Sequence, residues 1–131
     1  MKYMVLIYND GELLDAMPKE TFNEEMRGCL AKADALRSEG RLFDSQMLEG
    51  PTTARTLRTR KNKMTVTDGP FTETKEFLAG FNLIEAENID DAVRIAAQFP
   101  WAKVGSIEVR PVRDIAGVRK RVGAVDGAAH R

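Results

Sequence analysis

The chain begins with an unbroken run of six apolar, β-forming residues from Tyr3 to Tyr8. A strand with one solvent-exposed face alternates apolar and polar residues, so this run predicts a central strand that is covered on both faces. It is too short for the apolar core of a signal peptide or for a membrane span, and we expect no membrane association. In the folded protein, apolar groups must therefore pack against both faces of this first strand.

The size of the chain indicates one domain, and its balanced charge gives no net attraction for a highly charged partner. Its 131 residues, 43% of them hydrophobic, suffice for one core that buries about two-thirds of the unfolded surface without disulfides. Twenty basic residues oppose twenty acidic ones, so no net field favours nucleic acid or anionic lipid. The single cysteine, Cys29, cannot form an internal disulfide, which agrees with a reducing compartment and predicts a cytoplasmic protein.

Two segments have the spacing of amphipathic helices. The first follows a loop at Asn9–Gly11, begins near Pro18 and stops at Gly40. Its predicted apolar stripe comprises Phe22, Met26, Cys29, Leu30, Ala33 and Leu36. The second is capped by Asn88 and closed by Pro100. Its predicted buried stripe comprises Ile89, Ala92, Val93, Ala96 and Phe99.

Further segments have the composition of strands, and two of them form a predicted hairpin. In chain order they are 42–48, 55–60, 63–67, 79–86 and 103–112. Asn62 lies at the predicted hairpin turn, where its tolerance of positive φ is useful. Pro111 favours an edge position for the last strand, because proline cannot donate to a ladder.

The element order β, α, β, hairpin, β, α, β predicts an α+β fold of the ferredoxin-like βαβ(ββ)βαβ type. Both helices then cover one face of an antiparallel sheet, although the first strand is apolar on both. A second copy of the same sheet is the simplest cover, so we expect a homodimer with a barrel-like core, a dimeric α+β barrel. The predicted domain spans 1–115, and 116–131 form a partly ordered extension with only Ile115, Val118 and Val122 to suggest a helix.

The segment from Asp68 to Lys75 carries the predicted ligand site. Asp68 ends a strand where the barrel mouth would lie, and Gly69 allows a ligand to approach closely, so Asp68 is the candidate acid or base. Ordinary turn chemistry is the competing explanation for Asp-Gly-Pro. The predicted ligand-binding residues are Tyr8, Asp68, Gly69, Phe71, Thr72, Glu73 and Lys75.

Other candidate sites are weaker. Arg55, Arg58 and Arg60 could bind an anion, although charged edge strands usually serve to prevent unwanted pairing. Together with the basic triplet at 119–121 they are the sole support for nucleic-acid binding, which we do not expect. The sequence has no histidine and cysteine cluster for a metal and no nucleotide-binding motif, so no metal site and no cofactor are expected.

The segment Thr67–Glu76, read as TDGPFTETKE, resembles the signature of the YCII-related family in the branch called DGPF-domain proteins. The opening MKYMVLIY and the closing GSIEVRP resemble the same family, and the resemblance covers residues 1 to about 115. It implies a dimeric α+β barrel. It also implies a regulatory setting, because members of this branch are commonly associated with extracytoplasmic-function sigma factors.

Some relatives of this kind are thought to pair a histidine with an aspartate in the barrel cleft. The only histidine here is His130, next to the C-terminus, so the resemblance does not extend to that pair. Two hypotheses about function follow. The chain is either a small-ligand-binding, regulatory homodimer or a metal-independent small-molecule enzyme that uses Asp68 as acid or base, and the sequence leaves open whether it is an enzyme.

Overall fold

The computed structural model describes residues 1–124, which form six strands and four α-helices within that range. The elements in chain order are β1 (Lys2–Asp10), α1 (Gly11–Ala16), α2 (Lys19–Ser38), β2 (Leu42–Met47), β3 (Arg55–Arg60), β4 (Lys63–Asp68), β5 (Glu76–Glu85), α3 (Ile89–Ala96), β6 (Gly105–Pro111) and α4 (Ile115–Val122). Short 3₁₀ turns cover Pro51–Thr53 and Pro100–Val104. His130 and the end of the predicted extension lie outside the described residues.

Within residues 1–124, four strands form one antiparallel sheet in the order β2-β5-β1-β6. The central strand β1 pairs with β5 on one side and with β6 on the other, and β6 lies at the edge that Pro111 predicted. Strands β3 and β4 form a separate two-stranded hairpin, inserted between β2 and β5. This topology confirms the ferredoxin-like α+β fold with its inserted hairpin.

The two faces of the sheet have different surroundings. On the helix face, Tyr3, Val5 and Ile7 are buried in one core with Leu36 of α2 and Ile95 of α3. On the other side of β1, Met4, Leu6 and Tyr8 are only half-buried. Residues paired with them across the ladder share that side. We call this side the open face, and its apolar members are Met4, Leu6, Tyr8, Leu78, Phe81 and Leu83.

The predicted loop at Asn9–Gly11 is wrong. Strand β1 continues to Asp10, and the short helix α1 begins at Gly11. The buried Asp10 carboxylate caps this helix, accepting hydrogen bonds from the backbone N–H of Glu12 at 3.0 Å and of Leu13 at 3.3 Å. An aspartate followed by an acidic first turn and two leucines is a helix start, which the sequence reading missed.

Several predicted boundaries and stripe members also need correction. Strand β5 begins at Glu76 rather than near 79, and a 3₁₀ turn replaces the predicted start of the last strand near 103. Leu30, Ile89 and Val93 are exposed rather than buried. Phe99 is buried as predicted, but it lies beyond the end of α3.

Helix α3 turns a different face toward the core than the sequence predicted, because the side chain of Asp91 is buried and anchored by hydrogen bonds. The Asn88 side chain caps the backbone N–H of Asp91 at 2.8 Å. The Asp91 carboxylate accepts from the backbone N–H of Glu87 at 3.0 Å, from Arg41 at 3.1 Å and from Arg94. The hydrogen bond from Glu87, joined by the charges of Arg94 and Arg41, lowers the pKa of Asp91 against the opposing effect of burial. These bonds fix which residues of α3 face the sheet.

Two glycines provide a matched test of packing. A Cβ atom at Gly105 would lie 1.9 Å from the Tyr8 carbonyl oxygen, whereas one at Gly28, on the exposed side of α2, meets nothing within 4 Å. We expect Gly105→Ala to lower the free energy of unfolding by more than about 2 kcal/mol through the clash. Gly28→Ala should raise it by about 0.5–1 kcal/mol through helix propensity. Urea unfolding followed by circular dichroism measures both, and equal effects would contradict the packing at Gly105.

The buried carboxylate predicts a pH dependence of stability. Because the folded protein lowers the pKa of Asp91, its ionised form contributes stability above the ordinary carboxyl pKa of about 4. That contribution is lost as pH falls through the lower folded value. Asp91→Asn should therefore lower the melting temperature at pH 7, and the difference from the parent protein should shrink on acidification. Thermal melts across the acid range measure it, and a constant difference would contradict the assignment.

Candidate functional site

A groove of about 780 Å³ opens at one end of the open face. Tyr8 and Leu78, which are partners across β1 and β5, form its floor. The connection from β4 to β5 forms its wall. We call it the Tyr8 groove, and its lining residues are Tyr8, Pro51, Thr52, Ala54, Thr56, Pro70, Phe71, Thr72, Glu73, Thr74, Glu76, Phe77 and Leu78.

The Tyr8 phenol is the polar group on the floor of the groove. Its Oη donates a hydrogen bond to Glu108 Oε1 at 3.2 Å across the ladder between β1 and β6. Burial is the main effect that raises the pKa of Tyr8, and the hydrogen bond to Glu108 and the charge of that carboxylate add to it. The phenol is therefore a neutral donor at physiological pH and is unsuited to act as a base there.

The lining of the groove combines apolar walls with acceptors and hydroxyl groups. Phe71, Phe77 and Leu78 supply apolar surface, and Glu73 and Glu76 add carboxylates. The remaining polar groups of the wall are threonine hydroxyls and the Tyr8 phenol. Among the described residues, none of those that line the groove is basic. Such a site accommodates a neutral or positively charged molecule with an apolar body better than an anion.

The structure brings four of the seven predicted ligand-binding residues together in this groove: Tyr8, Phe71, Thr72 and Glu73. Phe71 is held by its backbone, since its carbonyl accepts a hydrogen bond from Arg58 Nη2 at 2.9 Å, while its ring is largely exposed. The other three predicted residues lie around the groove rather than in its lining.

Asp68 and Gly69 form the base of the hairpin. The Asp68 carboxylate is 88% exposed and pairs with Arg55 Nε at 3.1 Å. Gly69 has a φ of 91°, its N–H donates to the Ala54 carbonyl at 2.8 Å, and its carbonyl accepts from Thr56 Oγ1 at 2.8 Å. These contacts agree with the turn explanation, and an exposed, arginine-paired carboxylate is an ordinary surface group.

Lys75 links the groove wall to the capped helix. Its Nζ lies 3.6 Å from Oδ2 of the buried Asp10, whose other oxygen caps α1. The Lys75 ammonium is thereby directed toward the end of β1 instead of into the groove. Asp10 in this way joins three parts of the chain: β1, α1 and the segment before β5.

Sequence reasoning missed Glu108 as the partner of Tyr8 and Thr56 as part of the lining. The alternation in β6 shows that Glu108 opposes Ile107 and Val109, but the register between β1 and β6 determines which residue it meets. That register was not readable from the strand itself. No group of three or more histidine, cysteine, aspartate or glutamate residues within 1–124 could hold a metal ion. None of the helices in the same range is long and apolar enough to cross a membrane.

Comparison with known proteins gives two matches. The family model of the YCII-related domain matches residues 1–116. An uncharacterized protein of Rhizobium meliloti (strain 1021) is 40% identical over 114 residues, which span 86% of this chain and 92% of that protein. The matched range of the family model includes the strand β1, the Tyr8 groove and the hairpin.

The environment of Tyr8 predicts its titration. In a Tyr3→Phe background Tyr8 is the only tyrosine, and we expect its phenol to ionise above the usual value of about 10. Glu108→Gln in that background removes the adjacent negative charge and should move the pKa of Tyr8 downward. Ultraviolet titration of the tyrosinate band measures both variants. An unchanged pKa in Glu108→Gln would contradict the Tyr8–Glu108 contact.

Proposed function

The chain belongs to the YCII-related domain family, and from that premise we propose that it is a homodimer that binds a small ligand in the Tyr8 groove. The observation that carries the proposal is the open face, whose apolar surface continues into the groove. We further propose that the protein belongs to the DGPF branch, on the segment Thr67–Glu76, and that it acts in the cytoplasm. Its role in this proposal is regulatory, in the sigma-factor setting that the resemblance implies.

The unequal cover of the two sheet faces supports the homodimer. The helices bury the side of β1 that carries Val5, whereas Leu6 and Leu78 on the open face keep contact with solvent. A contiguous apolar surface of this kind marks an interaction site, and a twofold axis lets identical surfaces cover one another. The hairpin adds to this surface.

The hairpin carries an apolar face of its own. Leu57 is the register partner of Val66, and Met64 lies on the same face. All three are about 60% exposed, at 61%, 60% and 62% respectively. A two-stranded hairpin is marginal without packing on one face, so a second copy that covers this surface would also hold the hairpin in place.

The chemistry of the groove supports a neutral or positively charged ligand. Glu73 and Glu76 attract a cation or a hydroxyl donor, the Tyr8 phenol oxygen can accept a hydrogen bond from a ligand hydroxyl or N–H group, and Phe71 offers a face for stacking. Phe71 is 72% exposed in one chain, and a ligand or a second copy would shield it. A compact amine or alcohol with an apolar ring has the required features.

A binding role has more support than catalysis. The candidate acid or base, Asp68, pairs with Arg55 and stands outside the groove lining, and the Tyr8 phenol is held neutral. The competing proposal, a metal-independent enzyme that uses Asp68 as acid or base, requires this carboxylate to leave Arg55 and reach a ligand. The two proposals predict different effects of Asp68→Asn: it leaves ligand binding unchanged if the protein only binds, and it abolishes turnover if Asp68 is the acid or base.

The assembly can be tested through one charge on the open face. We expect the purified protein to have about twice the chain mass of 14.6 kDa in light scattering at micromolar concentration. Leu78→Glu buries an unpaired charge in the proposed interface and should raise the dimer dissociation constant about 100-fold or more, as a loss of roughly 3 kcal/mol implies. Val93→Glu puts the same charge on the exposed side of α3 and should leave the dimer intact. A monomeric parent protein would overturn the proposal.

The ligand class can be tested with three fragments that share one ring. Benzylamine, benzyl alcohol and benzoate differ in charge, and we expect the first two, but not benzoate, to raise the melting temperature. Tyr8→Phe should weaken their binding about fivefold through loss of one hydrogen bond, and Phe71→Ala should weaken it further. Asp68→Asn should leave binding unchanged.

Preferential binding of benzoate would contradict the proposed ligand class. Turnover of a bound compound that Asp68→Asn abolishes, with folding intact, would instead establish the enzymatic alternative.

A further inference from the structure

A second cavity, distinct from the Tyr8 groove, lies on the helix face of the sheet. It has a volume of about 280 Å³ and extends between α2 and the strands β2 and β5. Phe22, Met26 and Ala33 of α2 form one wall, and Phe77 and Gly80 of β5 form part of the other. Protein interiors are normally close-packed, so a cavity of this size between a helix and its sheet calls for an explanation.

The walls of this cavity are mainly apolar, with a few polar side chains among them. Ser45 Oγ donates to Asn82 Oδ1 at 2.5 Å. The Trp101 indole N–H donates to Cys29 Sγ at 3.3 Å. Asn9 differs, because its Oδ1 is buried and has no hydrogen-bond partner among residues 1–124.

An unpartnered buried acceptor beside an apolar cavity indicates a missing donor. Leaving a buried acceptor without a partner costs stability, and native structures rarely retain one without a reason. The terminal torsion of asparagine is soft, so the Asn9 amide can turn toward a molecule in the cavity. A bound molecule with a hydroxyl or N–H group would satisfy this amide.

Three exposed apolar side chains mark the opening of the cavity. Leu30, Met47 and Leu48 all line it, and their exposed fractions are 53%, 69% and 48%. Leu30 projects from α2 and the other two come from the end of β2, so they face one another across the edge of the sheet. The cavity therefore has an apolar, solvent-exposed rim at this edge.

From these observations we propose that the cavity between α2 and the sheet binds a small, mostly apolar molecule with a single ring and one hydroxyl or N–H group. A cavity of roughly 150 Å³ accommodates benzene, so this cavity has room for a substituted ring. The site is independent of the proposed function, because it opens on the opposite side of the sheet from the Tyr8 groove. Phe77 alone is shared by the linings of the two sites among the described residues.

The cavity contains its own reporters. Trp101 is the only tryptophan of the chain and Cys29 the only cysteine, and both line it. Burial raises the pKa of the Cys29 thiol, so the empty protein should already react slowly with thiol reagents at neutral pH. Binding should change Trp101 fluorescence and slow the modification of Cys29 further.

The experiment titrates the full chain with p-cresol and with p-xylene, which have nearly the same shape and differ in that p-cresol carries a hydroxyl group in place of one methyl group. We expect p-cresol to change Trp101 fluorescence saturably and, at about ten times its dissociation constant, to slow Cys29 modification about tenfold. Ala33→Leu fills the cavity and should abolish both effects. If Ala33→Leu does not fold by circular dichroism, Leu30→Phe, which narrows the opening and keeps Trp101 as the only tryptophan, serves in its place.

Asn9→Leu tests the polar contact. It keeps the approximate shape of the side chain, and the ratio of p-cresol affinity to p-xylene affinity should fall about fivefold, the equivalent of one neutral hydrogen bond. Phe71→Ala alters the Tyr8 groove and should leave every cavity effect unchanged.

The proposal is overturned if neither compound gives a saturable response up to its solubility limit, or if Ala33→Leu responds like the parent protein. An affinity ratio that Asn9→Leu does not change overturns the assigned hydroxyl or N–H recognition. Loss of the response in Phe71→Ala would move the binding to the groove and likewise overturn the cavity assignment.

Discussion

The architecture depends on an antiparallel sheet that is apolar on both sides but whose core, within residues 1–124, is formed with α2 and α3 on one side. Val5 on the helix face is completely buried, while its neighbour Leu6 on the open face remains half-buried. The hydrophobic effect acts on both faces equally, since it is roughly proportional to the apolar area that leaves water. The uncovered face therefore determines where a partner or a ligand is most favourably placed, and the Tyr8 groove lies at its end.

The groove owes its shape to a few polar contacts that join distant segments. Asp10 ends β1, caps α1 and pairs with Lys75, so one buried carboxylate links the strand, the short helix and the groove wall. Gly69 joins the base of the hairpin to Ala54 and Thr56 through hydrogen bonds. The wall that carries Phe71 and Glu73 is thus tied to the hairpin at one end and to β1 at the other, while its side chains remain available to a ligand.

The two cavities differ in what their surroundings offer. The Tyr8 groove is open, has carboxylates in its lining and borders the face where a second copy would pack. The cavity beneath α2 is smaller and mostly apolar, and Asn9, whose Oδ1 has no partner among the described residues, forms part of its wall. Phe77 lines both of them, and β5, to which it belongs, contributes side chains to both sides of the sheet. A single strand can in this way serve two sites whose linings differ in charge.

The sequence by itself determined the ferredoxin-like order of elements, because the periodicities of strands and helices, the Asn88 cap and the turn residues are local signals. It also indicated four residues that line the groove, since Phe71, Thr72 and Glu73 are neighbours in the chain and Tyr8 ends an apolar run. The sequence did not predict the features that depend on long-range packing. The partner of Tyr8 depends on the register of β6, the buried side of α3 on the contact between Asp91 and Arg41, and the cavity at Asn9 on the distance between α2 and the sheet. Only the tertiary structure decided these, because each depends on side chains that are far apart in the chain and come together when the elements pack.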